Sequence, residues 1–173
     1  MNQDEIRALQ APLKQRYRED PSAALVTLRA EGKLGEGVSC SVATGRALVA
    51  AGLHPATGGT GALVCSGDML LQALVACAGV TLSAVATALG IALRGGSLVA
   101  EGDLDFRGTL GVAKETPVGF RKIRLVITLD GDIGPEERRR LLELTERYCV
   151  VYQTLAGSPE LVVESTAAPP SRG

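Results

Sequence analysis

Two stretches of the chain, 97–107 (SLVAEGDLDFR) and 120–129 (FRKIRLVITL), alternate apolar and polar residues. A period of two places the apolar side chains on one face, so both predict long strands of an antiparallel sheet with one wet face. Ahead of them, 69–93 runs 25 residues without a charge. Its length admits a membrane span. Its Gln72, Gly79, Thr81, Ser83, Thr87 and Gly90, and its weight of Ala over Leu and Ile, predict instead the central helix of a soluble core. Ser66 or Asp68 would cap its start, and Gly90 or Gly95-Gly96 would end it. After the strands, Leu141, Leu144, Tyr148, Val151/Tyr152 and Leu155 recur at helical spacing and predict one helix over 136–155, with Pro135 in its first turn.

The flanking segments are shorter. Residues 2–19 predict a polar helix stopped by Asp20-Pro21. Residues 24–30 and 38–42 predict strands, whereas 47–53 fits either a strand or a helical turn. Residues 54–61 (HPATGGTG) predict a loop, and 160–164 (ELVVE) a short last strand. The order is helix, strands, long buried helix, two strands, shorter helix, strand. That segregation predicts an α+β fold rather than alternating βαβ units. The chain divides into an N-terminal helix (1–20), one domain (21–165) and a disordered tail (166–173). No repeat is visible.

Composition narrows the function. Aromatic residues make up 3% of the chain, so surfaces that stack bases are not expected. The net charge of −1 leaves no basic footprint for nucleic acid. The opening MNQDEIRALQ mixes acid and base with no apolar core, which is not a secretory signal, and a cytoplasmic location is expected. Gly58-Gly59-Thr60-Gly61 lacks the Lys-Ser/Thr of a phosphate loop.

Four cysteines remain: Cys40, Cys65, Cys77 and Cys149, none in a C-x-x-C pair and with one His in the chain. A zinc cluster has little support from that set. In a reducing compartment a disulfide between any two would be transient and catalytic rather than structural. Cys77 lies in the uncharged helix, where Cys often packs as a small hydrophobe. Cys149 follows Arg138, Arg139, Arg140 and Arg147, a setting that would favour a thiolate unless those charges form only a solvated face. Cys40 and Cys65 read as bystander thiols, and His54 as an exposed loop residue.

The residues flanking Cys77 and Cys149 carry a resemblance. Ser66-Gly67-Asp68 opens a Leu/Ala-rich helix that reaches Cys77. Gly131-Asp132 and Pro135-Glu136-Glu137 lead into Glu146-Arg147-Tyr148-Cys149-Val150-Val151. These segments, 72 residues apart at their cysteines, resemble the two motifs of the OsmC/Ohr family (osmotically inducible protein C, organic hydroperoxide resistance). The resemblance covers roughly residues 24–165. It implies an intertwined homodimer, with antiparallel sheets around the long central helices. It implies a thiol peroxidase that reduces organic hydroperoxides, with a sulfenic acid at Cys77 and then a Cys77–Cys149 disulfide. No bound cofactor is implied, only an external dithiol reductant, often a lipoyl group in the family. Neither a nucleic acid nor a membrane is an expected partner. Cys77 is expected in an apolar pocket, and Cys149 on a more polar helix within reach of the reductant.

One departure matters. A mid-helix thiol gains little from its own helix dipole, and an apolar setting raises its pKa, so a cation is expected beside Cys77. The family's peroxidases use an Arg from the N-terminal half, held by a Glu near the start of the central helix. Here the Glu position, ten residues before Cys77, is Gly67. Asp68 is the candidate substitute, and Arg29 or Arg46 the candidate cation. The missing Glu keeps open a non-catalytic ligand-binding or structural dimer, and a thiol redox sensor.

Overall fold

The computed structural model describes residues 47–111 and 113–166, the backbone of 32–34 and 39–44, and positions 2–5, 8, 10, 11, 15 and 19. The expected strand at 24–30, Arg29, Arg46 and the tail from 167 lie outside the described residues, as does the side chain of Cys40.

Helix α1 (Ser66–Leu89) organises the fold. Its buried residues Leu74, Ala78, Leu82 and Ala86 recur every fourth position, which makes one stripe along the helix. Leu82 and Ala86 pack with Leu141, and around them lie Leu98, Ile127, Leu129 and Leu142. The opposite side of α1 is open, with Val80 72% exposed. By length and hydropathy α1 passes as a membrane span, but its Leu/Ala stripe is packed against protein. Gly90 ends it in the left-handed region (φ 72°), with its N–H donating to the carbonyls of Ala86 and Thr87. The start differs from expectation. Cys65 is the capping position, in extended conformation and with no side-chain hydrogen bond, while Asp68 sits in the first turn near the positive end.

Strands β5 (Gly95–Asp103) and β6 (Lys122–Asp130) pair antiparallel from Gly95↔Asp130 to Asp103↔Lys122. Leu98 and Ile127 face the core, whereas Val99 and Val126 face out. On the outer face Arg124 holds Asp103 at 2.7 and 3.0 Å and Glu101 at 3.1 Å. β5 stops short of the expected 107. Asp105 turns the chain there by accepting the Arg107 amide (3.2 Å), which starts the four-residue helix α2 (Phe106–Thr109). Arg107, hydrogen-bonded to Asp105, holds that carboxyl down at about 2.

The other sheet has the order β1-β2-β3-β4: β1 (Gly32–Leu34), β2 (Ser39–Thr44), β3 (Ala47–Gly52) and β4 (Val64–Cys65). Thus 47–52 is a strand, antiparallel to β2 and parallel to β4. The 54–61 loop contains a short helical turn, Pro55–Thr57. The described positions between 3 and 19 are helical, and the Gln3 side chain donates to the Ala88 carbonyl (2.9 Å), tying this segment to the end of α1. The expected strand at 160–164 does not form. It pairs with no described strand, and backbone groups without a partner strand gain nothing from extension over water.

The expected single helix over 136–155 is two: α3 (Pro135–Tyr148) and α4 (Val150–Gly157), broken at Cys149 (φ −73°, ψ 109°). The break is stabilised locally. A continuous helix would join the Val150 amide to the Glu146 carbonyl. Instead the Gln153 side chain donates to that carbonyl (2.8 Å), leaving the first amides of α4 available.

Candidate functional site

Cys77 lies on α1 and Cys149 at the α3–α4 break, and the packing of α4 on α1 brings the two together. Both thiols are free, and they lie close enough for each to shift the titration of the other. Burial opposes charge on Cys77. The Val151 amide, the Cys149 thiol, the Val150 amide and the Thr81 hydroxyl outweigh it and hold Cys77 below the ordinary thiol value. Cys149 moves the other way. Burial pushes it up, the Tyr152 amide offsets part of this, and the adjoining Cys77 sulfur adds to the rise. The pair is therefore poised with its negative charge on Cys77.

These donors were not expected. Cys77 gains nothing from the dipole of α1, in whose middle it sits, but the amino end of another helix, α4, points two amides at it. Amides at a helix start carry partial positive charge and favour an anion. The main influences on Cys77 are burial and neutral donors rather than a charged side chain. One signal for this arrangement exists in the sequence: Thr81, one turn beyond Cys77.

The sulfurs' exposures are the reverse of expectation. Cys149 is 1% exposed, and Cys77 is half-buried. A cavity of about 250 Å³ reaches Cys149, walled by Ala78, Ile123, Leu125, Ile127 and Leu142, with Glu146 and Tyr152 also lining it. The apolar pocket thus adjoins Cys149, because the break turns residue 149 inward from α3 toward the sheet. Nor are the arginines of α3 among the main influences on Cys149. Arg139 is tied to Glu136 and Glu143 on the surface, and Arg147 lies over the Tyr148 ring at 5.6 Å.

Asp68 is not brought to the pair. It is nine positions before Cys77, roughly 13 Å along the helix. It lines a separate cavity of about 360 Å³ with His54, Cys65, Gly67, Phe106 and Phe120. There a Cβ on Gly67 would lie 3.4 Å from the Phe120 ring and 3.6 Å from the Cys65 sulfur. Cys65 therefore faces this second cavity. His54 is stacked on Phe106 (centroids 4.9 Å apart), and its Nδ1 accepts the Ala56 amide at 3.1 Å. Among the described residues no cluster of His, Cys, Asp and Glu is suited to a metal ion.

A scaffold of this kind, with a thiol pair set between a central helix and a helix start beside a two-stranded sheet, defines a class. The family model described as OsmC-like protein matches residues 59–164, more than half of the chain. The chain belongs to the OsmC-like family. No curated protein matches its sequence. Among solved structures, it is similar to an OsmC-like protein from Mycoplasma pneumoniae (TM-score 0.64, 19% identity, 76% of this chain and 89% of that one covered). It is also similar to an organic hydroperoxide resistance protein OsmC from Legionella pneumophila (TM-score 0.61, 20% identity, 78% and 92% covered). The organic hydroperoxide resistance protein OhrB of Bacillus subtilis is a further likeness (TM-score 0.55, 20% identity, 78% and 93% covered).

Proposed function

We propose that the protein is a thiol peroxidase that reduces organic hydroperoxides through Cys77 and Cys149. The supporting observation is the thiol pair itself: Cys77 held toward the thiolate by donors, with Cys149 against it as a neutral thiol. The Cys77 thiolate attacks the outer oxygen of the peroxide. The S–O bond forms, the O–O bond breaks, and the alkoxide takes up a proton to leave as the alcohol. Cys149 then attacks the sulfenic acid, forming the disulfide and releasing water. An external dithiol, such as a lipoyl group, restores both thiols by exchange. The apolar cavity beside Cys149 favours substrates with an apolar tail over hydrogen peroxide. The setting is the cytoplasm, and the working unit a homodimer that covers the open apolar side of α1.

A second reading, a non-catalytic ligand-binding dimer, is favoured by Gly67, which stands where the Glu is expected and where a Cβ would meet the Phe120 ring. Stopped-flow oxidation of the reduced protein by cumene hydroperoxide separates the readings. The peroxidase loses Cys77 thiol in a peroxide-dependent phase that Cys77→Ser abolishes. A phase untouched by Cys77→Ser rejects it. Oxidation without turnover in the presence of dithiol would mark a sensor.

A further inference from the structure

The cavity that reaches Cys149 has walls of aliphatic side chains but a carboxylate at its rim. Cys149 is buried at the inner end, and Glu146, one turn earlier on α3, is exposed at the mouth. Glu146 is held from two sides. Its backbone carbonyl accepts the Gln153 side chain at 2.8 Å, and its carboxylate accepts the Tyr152 hydroxyl at 3.4 Å. Among the described residues it has no ion-pair partner, and no cation lines the cavity. The acid gains nothing from its own helix either. It lies in the last turn of α3, where the carbonyls already carry partial negative charge. A positioned negative charge therefore stands at the opening of an otherwise largely apolar space.

We infer that Glu146 is a specificity-determining residue: it restricts the site to hydroperoxides with a neutral apolar tail and turns away those whose tail ends in a carboxylate. The inference rests on the peroxidase reading of the Cys77–Cys149 pair. A cavity of about 150 Å³ takes up benzene. This one, of about 250 Å³, has room for the cumyl group of cumene hydroperoxide. With the peroxide oxygens at the thiols, the far end of such a tail points back to the rim. A carboxylate there faces the one on Glu146. Like charges about 4 Å apart weaken binding about fivefold in water, and more where the walls exclude water. A neutral tail meets no such opposition and gains from burial against Ile123, Leu125, Ile127 and Leu142.

The test compares two hydroperoxides that differ in one group: cumene hydroperoxide carrying a para-carboxylate, and the methyl ester of that acid. Loss of the Cys77 thiol is followed by stopped flow in wild type and Glu146→Gln, with Cys77→Ser as the control. Wild type should react about fivefold faster, or more, with the ester than with the acid. In Glu146→Gln the ratio should fall toward one, because the acid reacts faster. Added salt should narrow the ratio in wild type and leave it alone in the variant, a response that a merely structural role would not give. The two corresponding alcohols, which cannot oxidise a thiol, repeat the comparison as binding, read from the methyl NMR signals of Ala78 and Leu142. An acid that reacts or binds as well as its ester in wild type, or a preference that Glu146→Gln leaves intact, overturns the inference. Failure of the peroxidase reading looks different: neither peroxide oxidises Cys77, while the ester alcohol still binds in preference to the acid and Glu146→Gln removes that preference.

Discussion

Cys149 lies against Cys77 across the seam between α1 and the α3–α4 break, where each thiol shifts the other. The two thiols are held on opposite sides of their ordinary pKa. A thiol with a lowered pKa is thiolate at lower pH. Alkylation of Cys77 should therefore reach its plateau below the usual thiol range, while Cys149 reacts only above it. Cys149→Ala removes one of the donors and should move the Cys77 midpoint upward. Peptide-resolved alkylation rates against pH check both outcomes.

Leu141, fully buried, joins α3 to Leu82 and Ala86 of α1. Leu141→Ala should cost about 2–5 kcal/mol of stability. Because α3 leads directly into Cys149, the same variant should slow disulfide closure. Urea denaturation gives the first quantity, and the rate of thiol loss under peroxide gives the second.

Gly102 is required by Phe120. A Cβ at 102 would meet the Phe120 ring at 2.3 Å. Gly102→Ala should destabilise by about 1–3 kcal/mol, and adding Phe120→Leu should recover part of the loss. The cavity around Gly67 is separate from the thiol pair, so Cys77 alkylation should be unchanged in both variants. Thermal melts and the alkylation assay together test this separation.

The uncovered side of α1 predicts association. Val80 stands out at 72% exposure on a helix that carries no charge after Asp68, and open apolar helix faces usually mark an interface. Sedimentation should show a dimer for the wild-type protein, with Val80→Asp shifting it toward monomer. A wild-type monomer would contradict the dimer.

Much of the scaffold is visible in local pattern. Alternation marks β5 and β6, and the uncharged run with Gly90 marks α1 to its last turn, because period and capping are properties of neighbouring residues. The cysteines were marked by the segments around them. What escaped depends on contacts between distant residues. The apolar spacing from Leu141 to Leu155 runs through Cys149 without interruption, so the break is invisible to periodicity; it shows only once Gln153 takes the Glu146 carbonyl. The donors to Cys77 escaped for the same reason, since two are backbone amides, which every residue carries. Asp68 is a candidate by its place in sequence, but nine positions along the helix carry it to another cavity. Arg29 and Arg46 stay candidates from sequence alone.

The most direct test of the Cys77–Cys149 pair is peptide-mapped mass spectrometry of the reduced protein after one equivalent of cumene hydroperoxide. The account predicts loss of two hydrogens through a Cys77–Cys149 disulfide within one chain. In Cys149→Ser it predicts a sulfenic acid on Cys77 that dimedone traps. A protein that keeps both thiols, or whose oxidation falls on Cys65 or Cys40 instead, would contradict it.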